Sequence, residues 1–494
     1  MPMTRHHARA LMLQGTGSHA GKTVLVAGLC RLLARRGLRV SPFKSQNMAL
    51  NAYVSVDGGE MGWAQAMQAE AAGVPPRVEM NPVLLKPRAE GRSQIILLGK
   101  VLTDASAREY SRLSARLWPA IKSSYDSLAR AADVIVIEGA GSPAEPNLMR
   151  RDLANMRVAR LARAPVLIVG DIDRGGVFAS LVGTMALLPP SDRRRVRGYL
   201  INKFRGDVAV LAPAIRDLEK RTKRPVLGVI PFLLRLNLGE EDSVALDSRP
   251  AWRSGDLAIG IVRVPHIANF TDFTPLEDEP GVLVRYAEEP RELEGVDLVV
   301  LPGSKDTIAD LRYLKSRGFD AALRSHVTRG GAVLGVCGGY QMLGRSVNDA
   351  HGVESGGRED GLGLLPVETV LERRKSTRRV VARWLPDGPD FEAYEIHMGH
   401  TVPHADGRPL FAVEGAPEGC ASADGRVRGT HLHGLLDAGA GRRRILDWAR
   451  ATRVAHRAGA APAARALREA AYDRLADTLD AVLDHARLRD LLAL

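Results

Sequence analysis

Short apolar runs recur along the chain, each closed by glycines or polar turns, and each is read as a strand. In the first half they are ALMLQG (10–15), LRVSPFK (38–44), ADVIVIEGAG (132–141), APVLIVGDID (164–173), VRGYLINKF (196–204) and RPVLGVIPF (224–232). None alternates apolar with polar residues, as a half-exposed strand would. Continuous runs of this kind predict parallel strands covered by helices on both faces. After the first run, KTVLVAGLCRLLARRG has helical spacing and ends in glycine. Residues 236–256 are polar with Pro and Gly, and a domain boundary is placed near residue 250. The pattern then restarts with LAIGIVRVP (257–265), VDLVVLPGS (296–304) and GAVLGVCGGY (331–340), and GTHLHGLL (429–436) follows. From 441 the tail is rich in Ala, Arg and Leu with helical periodicity, which predicts one or two terminal helices.

Composition narrows the class. The 494 residues are 45% hydrophobic and 26% charged, ordinary for a globular protein of two or three domains. Three cysteines are too few for a disulfide framework, so a reducing, cytoplasmic setting is expected. The basic start MTRHHARA leads straight into the first strand, without a signal-peptide pattern. No apolar run reaches about 18 residues, so no membrane span is expected. The net charge of +12 raises nucleic-acid binding, but the arginines are dispersed and aromatics are only 5%, which suits base stacking poorly. No nucleic-acid partner is therefore expected, and the positive charge suits an anionic small molecule. The sequence assigns no oligomeric state.

Two motifs carry chemistry. Gly15-Thr16-Gly17-Ser18-His19-Ala20-Gly21-Lys22-Thr23 lies between a strand and a helix, as a phosphate-binding loop does, although its first glycine comes one residue early. Backbone N–H groups from Thr16, Gly17 and Gly21 would face phosphate, Lys22 would reach the β/γ-phosphates, and Thr23 would face Mg²⁺. Lys44 follows the second strand. Glu138 ends an apolar strand, where a carboxylate needs a partner and could hold Mg²⁺. Asn202 ends another, from where an amide could read a base edge. The second motif is Cys337 between the strand AVLGV and Gly338-Gly339, a turn that exposes a nucleophile and places backbone donors, Gly338 and also Gly303 of LPGSKDT, around an oxyanion. Cys30 and Cys420 lack such glycines and read as core. The thiol needs a base, with His397, His400, His431 and His433 as candidates. His433, next to Gly434, has the most open position. FEAYEIHMGHT (391–401), with Tyr394 and Glu395, reads as a substrate contact.

Taken together, PFKSQNMALN, EGAGSPAEPNL, DIDRGGVFASL, LPGSKDT, GVCGGYQMLG, YEIHMGHT and HLHGLLD occur in the order seen in the cobyric acid synthase family, which the chain resembles from about residue 10 to about 450. The resemblance implies an α/β protein of two doubly wound domains with C-terminal helices. A P-loop NTPase-like sheet of dethiobiotin synthetase type, in which the early glycine is usual, would span 1–250. A flavodoxin-like class I glutamine amidotransferase would span 251–445, and a helical extension 446–494. It further implies ATP and Mg²⁺, with L-glutamine and adenosylcobyrinic acid a,c-diamide as substrates, the latter amidated at its b, d, e and g carboxylates. Cys337 would attack the glutamine amide with His433 as base. Gln46, Asp171, Asp173, Tyr394 and Glu395 would contact substrate, although the two aspartates read equally as helix caps. The usual third triad member would be a Glu at 435, and here it is Leu435. Two alternatives stay open: a cobyrinic acid a,c-diamide synthase, which PFKSQNM and DIDRGG disfavour, and a non-enzymatic P-loop switch of deviant Walker type.

Overall fold

The computed structural model describes residues 8–88, 91–233, 236, 238, 257–451 and 464–493. The boundary expected near 250 lies outside them. All six strands read in the first half are present, as Arg9–Gly15, Val40–Phe43, Val134–Glu138, Val166–Asp171, Val196–Phe204 and Val226–Pro231. They pair side by side and all in parallel, with Arg9–Gly15 between Val134–Glu138 and Val166–Asp171. Their carboxyl ends therefore bring Gly15, Lys44, Glu138, Asp171 and Asn202 to one edge of the sheet, where open α/β sheets bind ligands.

The sheet is apolar on both faces, which explains the unbroken runs. Met12, Ile135, Ile137 and Ile168 belong to one core cluster, and Leu11, Leu13, Val136 and Val169 to another. The second cluster also contains Val26 and Leu33 of the helix Lys22–Arg35, together with Leu479, Leu488 and Leu492 from the end of the chain. The tail, expected as one extension over 446–494, is thus divided. The helix Gly439–Ala451 buries Ile445, Leu446 and Ala449 in the core of the second half, whereas Ala464–Val482 and His485–Leu492 return to the first.

A four-stranded sheet that the sequence pattern did not reveal lies between Phe43 and Val134. Its strands are Gln46–Met48, Val83–Pro87, Arg92–Leu97 and Lys100–Ser106. A 25-residue helix, Ala107–Ala131, follows it, opened by a capping box between Ser106 and Glu109. The second half has parallel strands Leu257–Val262, Val282–Ala287, Leu298–Leu301, Ala332–Val336 and Val427–Thr430, with Cys420–Ala421 antiparallel at the edge. A long antiparallel hairpin, Val367–Trp384 with Asp390–Pro403, belongs to a separate sheet, and its Tyr394 and Ile396 pack with Ala52 and Val54 of the first half. Among the described residues no helix is long and apolar enough to cross a membrane.

Candidate active sites

The phosphate loop closes as expected. Gly21 has φ 88°, which favours glycine, and a Cβ there would meet Asn202 Nδ2 at 2.1 Å. Lys22 Nζ donates to Gly17 O at 2.9 Å and Gly141 O at 3.2 Å, curling back over the loop. Glu138, 1% exposed, gathers the rest. Its carboxylate accepts from Thr23 Oγ1 at 2.9 Å and Gln68 Nε2 at 2.6 Å, and pairs with Lys44 Nζ at 2.8 Å. Burial alone would raise this carboxyl, but Lys44, Gln68 and Lys22 hold it below the usual range. Gln68, on the helix Trp63–Ala71, was not foreseen.

Other predicted residues take more local roles. Asn202 Nδ2 donates to Ala20 O at 2.9 Å, so its amide nitrogen braces the loop. Asp171 pairs with Lys203 at 2.9 Å and accepts from Asp173 N, while Asp173 pairs with Arg205 at 2.9 Å. Neither caps the next helix, whose N-cap is Gly176 without a side-chain bond. That removes the capping alternative. Gln46 Oε1 accepts from Tyr110 Oη at 2.6 Å.

Cys337 stands on the turn between the strand Ala332–Val336 and the helix Gly338–Leu343, with φ 53° and ψ −112°. A left-handed φ on a non-glycine residue is strained, and here it presents the thiol to a pocket. The surrounding glycines permit close approach: a Cβ on Gly338 would lie 2.7 Å from Ser304 N, and one on Gly339 2.0 Å from Leu301 O. Gly303 lines the same pocket, as does His433. His433 Nδ1 lies 2.6 Å from Asp272 Oδ2, a residue no sequence motif marked. Burial would lower the imidazole, but Asp272, by charge and hydrogen bond, and the neighbouring Cys337 raise it to about 10. Of the other candidate histidines, His397 lines the same pocket but is pushed down well below the ordinary imidazole range, chiefly by burial. His431 stacks on His397 and is lowered to about 4 by burial, and His400 is exposed. Cys30 and Cys420 are buried, which pushes both thiols up.

Segment 391–401 differs from its expected form. It is a strand of the long hairpin, and Tyr394 and Glu395 make contacts within the chain. The Tyr394 ring stacks on His433 with centroids 5.2 Å apart, and Glu395, 4% exposed, pairs with Arg378 at 2.6 Å. Tyr394 thus packs against the imidazole of the thiol site.

The two halves meet at a junction of buried contacts. Ala52 N donates to Asn269 Oδ1 at 3.2 Å, and Tyr53 packs on Tyr394 at 5.2 Å. Lys305 Nζ donates to Gln94 Oε1 at 3.0 Å, and Lys375 pairs with Glu60. Arg468 of the tail bridges Glu70 at 2.9 Å and Asp437 at 3.1 Å, and so ties all three parts together.

Comparison with known proteins agrees with this division. Residues 11–243 match the CobQ/CobB/MinD/ParA nucleotide binding domain, and residues 258–441 match the CobB/CobQ-like glutamine amidotransferase domain. A cobyric acid synthase of Desulforudis audaxviator is 50% identical across 99% of this chain and 100% of its own. One from Sorangium cellulosum is 49% identical across 99% of both chains, and one from Methylorubrum populi 49% across 96% and 97%. The chain belongs to the cobyric acid synthase family.

Proposed function

We propose that the chain amidates side-chain carboxylates of adenosylcobyrinic acid a,c-diamide, at positions b, d, e and g, using ATP and ammonia drawn from L-glutamine. The observation that supports this is the junction: the half that carries a thiol–imidazole–carboxylate set and the half that carries a phosphate loop meet through buried contacts in one chain. Cys337 attacks the glutamine amide carbon while His433, held by Asp272, takes the thiol proton and returns it to the departing ammonia. Backbone N–H groups near Gly303 and Gly338 receive the oxyanion. Water then hydrolyses the thioester to glutamate.

In the other half a corrinoid carboxylate takes the γ-phosphoryl group of ATP, giving an acyl phosphate and ADP. Ammonia displaces the phosphate to leave the amide. Lys22 and Lys44 steady the transferring group. Thr23 and Glu138 offer two oxygen donors 2.9 Å apart, a set that fits a hard cation also held by phosphate oxygens. Mg²⁺ bound there would neutralise phosphate charge. Gln46, Asp171 and Asp173 lie on the synthetase half and are proposed to face the corrinoid.

The test measures glutamine hydrolysis and ADP release with and without the corrinoid diamide, in wild type and Cys337→Ala. The corrinoid should stimulate both activities. The variant should lose glutamine-driven amidation and keep amidation from ammonium chloride. A Cys337→Ala chain that still amidates from glutamine would refute the thiol assignment, and the absence of either activity with the corrinoid would refute the substrate.

A further inference from the structure

Behind Cys337 the pocket is lined by an unusual set of charges, Lys86, Lys305, Lys375 and Glu354. Lys86 is 3% exposed and Lys305 5%. Glu60, 1% exposed, answers two of these cations: Lys86 lies 2.8 Å from Oε1, and Lys375 pairs through Oε2. Lys305 donates to a neutral group, the Gln94 amide oxygen. Glu354 accepts from Thr307 N at 2.6 Å. Charges of both signs are thus crowded together here, and Asp306 and Arg88 also act on Glu354. Buried charges of this kind are costly unless partners or a ligand balance them. Burial, together with Lys375, Arg88 and Lys86, pushes the Lys305 ammonium well below its ordinary range, and desolvation pushes Glu354 up to about 7.

We propose that Lys305 and Lys375 receive the α-carboxylate of glutamine, and Glu354 its α-ammonium, in a pocket whose lysines are held in place by the opposite half of the chain. This rests on the glutaminase reading above. Glutamine carries adjacent opposite charges at one end and a neutral amide at the other. The pocket is lined by charges of both signs and by the thiol. Glu60, Lys86 and Gln94 come from the synthetase half, whereas Lys305, Glu354 and Lys375 come from the glutaminase half. Glu60 and Gln94 are therefore positioning residues, acting on glutamine through the lysines they hold.

The test uses the full chain with Cys337→Ala, which binds glutamine without consuming it. Three ligands are titrated by calorimetry: L-glutamine, glutaramate (no amine) and 4-aminobutanamide (no carboxylate). Losing a charge-assisted bond should weaken glutamine and glutaramate by at least about tenfold in Lys305→Met or Lys375→Met, with little change for 4-aminobutanamide. Glu354→Gln should do the converse, weakening glutamine and 4-aminobutanamide and sparing glutaramate. Lys305→Arg, which keeps the charge, should restore most of the affinity. A variant with a merely disturbed fold would lose all three ligands alike, and that result, or unchanged glutamine affinity, overturns the proposal. If the Cys337→Ala parent binds no glutamine, the glutaminase reading itself falls and this proposal with it.

Discussion

The proton on His433 is governed by Asp272, 161 positions earlier in the chain. Asp272→Asn should lower glutamine-driven turnover by roughly 10²-fold or more, while ammonium-driven amidation persists. The same pair sets a pH signature. Because the folded imidazole is raised to about 10, its stabilising contribution is complete below the unfolded value near 6.5 and fades as pH rises through about 10. The unfolding free-energy gap between wild type and Asp272→Asn should therefore narrow over that window, and denaturant titrations at several pH values would show it. In the other half, Glu138→Gln should cut ATP-dependent amidation by about 10²- to 10³-fold from either ammonia source and leave glutamine binding intact. Short motifs made Cys337, His433, Lys22 and Glu138 legible in the sequence, because a strand–turn–helix elbow is local. Asp272 was not legible. It reaches His433 only through tertiary packing, and nothing around it in IANFTDFTP marks a catalytic carboxylate.

At the scale of elements, the unbroken apolar runs read as parallel strands because both faces of each sheet are covered. The sheet between Phe43 and Val134 escaped this reading. Several of its strands are only a few residues long, and their side chains serve the junction as much as a core. The polar, aromatic look of 391–401 has a related cause: a hairpin strand buried against another domain carries ion pairs and rings rather than aliphatic alternation. The terminal helices were foreseen as helices but not as part of the first core. Leu475 and Leu479 are 0% and 1% exposed there, and a Cβ on Gly28 would meet Leu479 Cδ1 at 2.6 Å. Leu475→Ala and Leu479→Ala should each cost about 2–5 kcal/mol, read as a lower urea midpoint for the synthetase half.

For the whole molecule, the junction charge at Glu60 couples the halves. Burial would raise its carboxyl, yet Lys375 and Lys86 hold it at about 2. Its stabilising contribution is complete above the unfolded value near 4.3 and is lost as pH falls towards about 2. Glu60→Gln strands two buried ammonium groups and should cost about 3–5 kcal/mol near neutral pH, with the deficit shrinking in acid as wild type loses the same charge. Thermal melts of the two proteins from neutral pH to strong acid would trace the convergence. The return of the final helices to the first sheet also bears on how the protein is made. A ribosome makes residues 464–493 after the glutaminase half, yet Leu479 and Leu488 share a core with Leu13, Val26 and Leu33, which precede that half. The nucleotide-binding half must then wait, one apolar face uncovered, until the glutaminase has been translated. A chain that stops before residue 464 lacks this cover, and its nucleotide-binding half keeps that apolar face open to water.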